Sequence, residues 1–198
     1  EPLSAWKDYL AFRAIEHAAD VLPRAFVEEA FAFYGTVLAG TPQLRARWKR
    51  GVDAVNDALG EAVGKLYVQR YFPASEKERA RAMVRNLIAA FERRIDNLEW
   101  MAPATKAKAK AKVAALRVGV GYPDRWTDYA GLEVRRGDAF GNLERAERFQ
   151  LRQSIAKLGR PVDRGEWVMT PQTVNAVNLP AMNALNFPAA ILQPPFFD

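Results

Sequence analysis

Through the first 160 residues, apolar side chains return every three or four positions, the spacing that lays them along one face of an α-helix. Trp6, Tyr9, Leu10 and Ala14 share a face in the first such run. Pro23 opens a second, carrying Phe26, Val27, Ala30, Phe31, Tyr34, Val37 and Leu38, and Gly40 closes it. A third run is predicted to start at Thr41-Pro42, a cap followed by a first-turn proline. It repeats Trp48, Val52, Val55, Leu59, Val63 and Leu66 and stops at Phe72-Pro73. Ser75 and Glu78 have the spacing of a capping box, in which each side chain satisfies a backbone donor at a helix start. The stripe Val84, Leu87, Ile88, Phe91, Ile95 and Leu98 follows it.

After Pro103 the chain alternates lysine and alanine from Thr105 to Lys112. Alternation suggests a strand, but both residues favour helix, and helix is the expectation. Val118-Gly119-Val120-Gly121-Tyr122-Pro123 is expected to break that helix. A last helical pattern runs from Asp138 through Phe140, Leu143, Phe149, Leu151, Ile155 and Leu158 to Gly159. The pattern then changes. Trp167-Val168-Met169, Val174 to Asn178 and Ala184 to Phe187 read as short strands, the last two able to pair as a hairpin. Pro188, Pro194 and Pro195 forbid a long helix near the end, and Phe196-Phe197 is an apolar ending that needs something to pack against. The fold class expected is therefore mainly α: helices over residues 1 to about 160, then short β-strands over 161–198, with the boundary near Pro161.

Composition sharpens this division. The 198 residues carry 29 basic and 23 acidic side chains, a formal charge of +6, yet no charged residue lies between Trp167 and Phe197. Residues 1–165 hold all 29 basic and 21 of the acidic residues, a net +8. That excess invites a nucleic-acid reading centred on Lys106 to Lys112. Lysines two apart wrap around several faces of a helix, however, and no aromatics interleave them for base stacking, so a solvated helix is preferred and no nucleic-acid partner is expected. Gly119 and Gly121 lack the third glycine and the Lys-Ser or Lys-Thr of a phosphate loop. No run approaches the roughly 18 consecutive apolar residues of a membrane span. Glu1-Pro2-Leu3-Ser4 is no signal peptide and lacks an initiator Met, so the start reads as processed or cut.

With no cysteine and one histidine, His17, the chain can assemble neither a thiolate or imidazole-rich metal site, a cysteine nucleophile nor a disulfide framework. His17 lies beside Glu16 and Asp20 in a helical pattern, where a plain surface or capping role is expected. No catalytic and no metal-binding residue is assigned within this chain.

Several segments together resemble the neprilysin and endothelin-converting-enzyme family of zinc metalloendopeptidases. They are Gly64-Lys65-Leu66-Tyr67-Val68 with Tyr71-Phe72, then Met101 to Ala109, and then Gly121-Tyr122-Pro123-Asp124-Arg125-Trp126 with Asp128-Tyr129. Most specific is the end: Trp167-Val168-Met169-Thr170-Pro171, Val174-Asn175-Ala176, and Phe187-Pro188-Ala189-Ala190-Ile191-Leu192-Gln193-Pro194-Pro195-Phe196-Phe197. The resemblance implies a helical cap over residues 1–160 that limits access to an enclosed site, and a 161–198 segment that begins a thermolysin-like catalytic domain. Substrates would be peptides and small proteins. Asn175-Ala176 would hold the substrate backbone in antiparallel fashion, main-chain hydrogen bonds aligning any sequence and the Asn amide adding one donor and one acceptor. Ile191 and Phe196 would line the pocket for the bulky apolar side chain after the scissile bond.

The family's two helical histidines with their glutamate, and its later glutamate ligand, would lie beyond Asp198. Zinc is thus implied for a full-length parent, with none bound by this chain alone, which is expected to be an inactive fragment whose partner is the missing C-terminal catalytic half. Two departures stand out. Val177-Asn178 replaces a common aromatic pair, and Asn186 replaces an apolar residue, which implies a looser or more exposed hairpin. An inactive peptide-binding module is the alternative these departures favour. The absence of cysteine fits a bacterial relative better than a disulfide-stabilised extracellular animal one. Bacterial relatives are often exported, periplasmic or secreted, but any export signal would precede Glu1 and localisation stays open.

Overall fold

Prolines set four of the six α-helix starts in the computed structural model, among the described residues 1–197. Pro2, Pro23 and Pro73 stand immediately before α1 (Leu3–Ala18), α2 (Arg24–Ala30) and α4 (Ala74–Asp96), and Pro103 is the first residue of α5 (Pro103–Ala114). The reason is local: proline's fixed φ suits a helix entry, where its missing N–H has no partner to lose. α2 continues into a wider, π-type turn over Phe31–Leu38, ended by Gly40 at φ 65°. α3 (Arg47–Tyr71) begins six residues after Thr41, so the predicted cap at Thr41-Pro42 is not used. Its φ/ψ at Leu59 are −131° and 29°, a break in otherwise regular helix. α6 (Ala139–Ile155) is capped by Asp138, whose carboxylate accepts the Gly141 N–H. The capping box at Ser75 is also corrected. No side chain caps α4, the Lys77 N–H turns back to the Pro73 carbonyl, and Glu78 pairs with Arg81 instead.

Among the described residues three strands complete the fold: β1 (Arg117–Gly121), β2 (Val177–Leu179) and β3 (Ala184–Pro188). β3 is central, parallel to β1 with Gly119 opposite Asn186, and antiparallel to β2 with Val177 opposite Asn186. The expected hairpin is present, its first strand shifted to Val177–Leu179. Asn183, at φ 47°, turns the chain before β3. β1 stands where the glycines suggest only a break. Trp167–Met169 is not a strand; the Trp167 ring lies against Gly119, where an added Cβ would meet it at 2.7 Å. The mainly α class is what is observed, with β2 and β3 late in the chain as expected and β1 added ahead of α6. Among the described residues no helix is long and apolar enough to cross a membrane.

The chain folds into two compact units that do not follow sequence order. One contains residues 1–59 with 128–160, the other residues 60–127 with the chain from Pro161 onward. In the first, the buried side chains are small: Ala18, Ala19, Val27 and Ala146. In the second, Val68, Phe72 and Ala189 form the centre, with Tyr67, Tyr122, Trp126 and Leu192 packed against it. Two of the α5 lysines are engaged within this unit, Lys106 donating to the Asp96 carbonyl at 2.7 Å and Lys110 pairing with the Asp96 carboxylate at 3.0 Å.

Candidate functional site

The second half of α3 carries a notch. Gly60 and Gly64 are four residues apart and so face the same side, and an added Cβ on either would stand 2.6 Å from Thr170 or Pro171 respectively. Glycine is required here by close approach. The segment after the notch is fastened polar group by polar group. Gln172 Nε2 donates to the Gly60 carbonyl at 3.0 Å, and the Thr170 and Thr173 hydroxyls are 2.9 Å apart. The Asn175 N–H then donates to the Thr173 carbonyl at 3.0 Å, and Asn175 Oδ1 accepts the Ala176 N–H at 2.8 Å. Both Asn175 and Ala176 are exposed, in an irregular stretch that runs directly into β2. β2 is an outer strand of the sheet, paired with β3 on one side.

The closing segment is anchored to the same helix. Ala190 donates its N–H to the Pro171 carbonyl at 2.9 Å, which ties the chain beside Ile191 to the chain before Asn175. Ile191 is half-buried, at the end of the short turn Ala189–Ile191. Gln193 accepts the Tyr67 hydroxyl at 3.1 Å and donates to the Tyr71 carbonyl at 2.8 Å. Phe196 is 64% exposed. The four residues singled out by the sequence therefore lie on two segments sharing one support and joined by one main-chain hydrogen bond. Burial, and then the neighbouring Tyr71, push the Tyr67 hydroxyl above the ordinary tyrosine range, so it stays a donor at neutral pH.

Lys77 is a polar anchor that sequence reasoning misses. It is 5% exposed, with Nζ 2.8 Å from the Tyr122 carbonyl, 2.9 Å from Asp124 Oδ1 and 3.8 Å from the Tyr122 ring centroid. Burial pushes the ammonium down and Asp124 opposes it. The hydrogen bond from Lys77 holds the Asp124 carboxyl below the usual range, with Arg81 adding to this from 3.0 Å. Tyr122 stacks on Trp126 at 5.8 Å, and the Thr127 N–H donates to Glu61 at 2.7 Å, so the whole 122–127 loop is pinned. The only sequence signal was the Gly121–Trp126 motif itself.

Asn186 sits mid-sheet at 5% exposure, and its Nδ2 has no hydrogen-bond partner among the described residues. It is buried, where its polarity suggests exposure. Its Oδ1 is 2.6 Å from where a Cβ on Gly119 would stand. Among the described residues no three His, Asp or Glu side chains come together to hold a metal ion. His17 pairs with Glu147 within the first unit. These donor sets do not fit a catalytic zinc, which needs three ligands and an open position.

Comparison with known proteins supplies the context. Residues 1–123 match the model described as Peptidase family M13. An endothelin-converting enzyme homolog of Locusta migratoria is 31% identical over 96% of this chain, and the neutral endopeptidase of Lactobacillus helveticus 33% identical over 97%. The solved structure of a Mycobacterium tuberculosis zinc metalloprotease, in complex with inhibitor, covers all of the chain at 49% identity and a TM-score of 0.89. The chain spans 27% and 30% of the length of the two sequence relatives and 30% of the solved one.

Proposed function

The chain belongs to peptidase family M13, and from that premise we propose that it forms part of a zinc metalloendopeptidase acting on peptides and small proteins. Residues 175 and 176 are the substrate-backbone rail. The observation that carries this is the exposed Asn175-Ala176 stretch leading into the outer strand β2 from a rigidly fastened support. An extended peptide laid antiparallel to that stretch would add to the sheet edge through main-chain hydrogen bonds, which are indifferent to side chains. The Asn175 amide, now turned onto the next N–H, can be released to meet a substrate peptide group at little net cost, one hydrogen bond being exchanged for another. Half-buried Ile191 and exposed Phe196 supply apolar surface for the residue after the scissile bond.

The zinc named for the tuberculosis protein would polarise the scissile carbonyl and activate water; the residues present here do not hold it, and its ligands would come from the remainder of a longer chain. The helices of residues 1 to about 160 would restrict entry to small substrates. The test is the full-length protein bearing Asn175→Ala. Zinc content by elemental analysis should stay at the wild-type level while KM for a peptide substrate rises about tenfold, the scale of losing one or two good hydrogen bonds. An unchanged KM would remove Asn175 from the rail. Peptide binding without cleavage by the zinc-loaded wild type would reduce the protein to a binding module.

A further inference from the structure

Gln193 lies two residues after Ile191 and three before Phe196, and it is fastened in both directions. Its side chain spans the last turns of α3, accepting from the Tyr67 hydroxyl at 3.1 Å and donating to the Tyr71 carbonyl at 2.8 Å. Its own carbonyl accepts the N–H groups of Phe196 and Phe197 at 3.0 and 3.1 Å. A side-chain amide is the group suited to this place: it offers an acceptor and a donor at once, toward a hydroxyl and a carbonyl that face it together. Neighbouring Leu192 packs on the Val68, Phe72 and Ala189 cluster. The backbone between Ile191 and Phe196 is thus held to α3 by one apolar and two polar contacts, while the Phe196 ring projects into the open.

We propose that Gln193 and Tyr67 are a positioning pair that sets the preference for a bulky apolar residue after the scissile bond, by holding the Ile191 and Phe196 side chains at a fixed spacing. This rests on the assignment of Ile191 and Phe196 to that pocket. A pocket wall that can drift fits a large side chain poorly but hardly affects a small one, so loosening it should show as lost discrimination, not as general loss of activity. Neither Gln193 nor Tyr67 needs to touch the substrate.

The experiment uses the zinc-loaded full-length protein and two peptides that differ only in phenylalanine or alanine after the cleaved bond. Four single variants are compared: Tyr67→Phe, Gln193→Met, Ile191→Ala and Phe196→Ala. Tyr67→Phe and Gln193→Met should each lower the phenylalanine-to-alanine ratio of kcat/KM about fivefold, the scale of one neutral hydrogen bond, through KM for the phenylalanine peptide. The alanine peptide should be cleaved as before, and the double variant should be little worse than either single. Calorimetric Kd values of both peptides for the zinc-stripped protein should move in the same sense. Equal losses on both peptides, or a lowered Tm with an unchanged ratio, would make the pair merely structural and overturn the inference. If Ile191→Ala and Phe196→Ala also leave the ratio unchanged, the pocket assignment itself falls and takes the inference with it. If those two lower the ratio while the Tyr67 and Gln193 variants do not, only the inference falls.

Discussion

The two units of this chain use opposite means to become compact. In the unit of residues 1–59 and 128–160, long amphipathic helices bury alanines and one valine, while Trp6, Tyr9, Leu10, Phe33 and Tyr34 stay exposed. In the unit of residues 60–127 and 161 onward, glycines and prolines bring backbones together, and the large side chains Phe72 and Ile95 go inside. Apolar periodicity announces helix, but it does not say which apolar face is covered. The segment with the least regular pattern, charge-free and rich in proline, is fastened through Gln172, Ala190 and Gln193.

The widest separation expected between the units is at their aromatics. Phe72 is 3% exposed at the centre of the second unit, whereas Trp6 is 55% exposed and touches Tyr9 edge-on. Phe72→Ala removes a ring and leaves a cavity, at a cost of about 3 to 5 kcal/mol. Trp6→Ala in the same 198-residue chain should change stability by no more than about 0.5 kcal/mol. Urea unfolding of the two variants checks this. Similar losses would mean that the faces of α1 are not as uncovered as their exposure says.

A smaller contrast lies within one helix. Gly51 and Gly64 are both in α3, one in each unit, and an added Cβ meets nothing within 4 Å at Gly51 but stands 2.6 Å from the Pro171 ring at Gly64. Gly51→Ala should therefore stabilise by about 0.5 to 1 kcal/mol, the ordinary helix-propensity gain. Gly64→Ala has the same propensity gain but forces apart a helix and a rigid ring, and should destabilise by about 1 to 3 kcal/mol. Thermal unfolding of the pair gives the sign directly. Two stabilised variants would show that the Thr170–Pro171 segment is free to move off the notch.

The same contrast explains what was legible in advance. Helices are readable wherever proline or glycine punctuates a periodic stripe, as at Pro23, Gly40, Pro73 and Pro103, because those residues act locally. The start of α3 is misread because Thr41-Pro42 has cap chemistry that nothing downstream uses until Arg47. β1 is unreadable because Gly119 and Gly121 look like breakers, whereas here glycine admits the Trp167 and Phe72 rings against the strand. Of the candidate site, Asn175, Ala176, Ile191 and Phe196 can be picked out through motifs. Their supports at Gly60, Gly64, Tyr67 and Tyr71 lie more than 100 residues away along the chain and leave no local trace of the contact.

The smallest effect expected belongs to a charged fastening, and it is a matter of pH. Asp124 has its carboxyl held low, first by the hydrogen bond from Lys77 and then by Arg81. The folded state therefore binds its proton less readily than the unfolded chain, whose ordinary value is 3.8. The stabilisation from Asp124 is accordingly complete above that unfolded value and disappears as pH falls through the lower folded value. Because the Asp124 side chain is largely exposed, screening by water keeps the contribution below about 1 kcal/mol, even though its partner Lys77 is buried. Asp124→Asn should lower stability slightly at neutral pH and flatten the loss on acidification below about pH 4, with wild type and variant converging at the acid end. Stability measured by urea titration across the acid range would show it. If the Asp124 variant runs parallel to the wild type throughout, Lys77 holds the 122–127 loop through the Tyr122 carbonyl and ring, and its ion pair with Asp124 adds nothing to the fold.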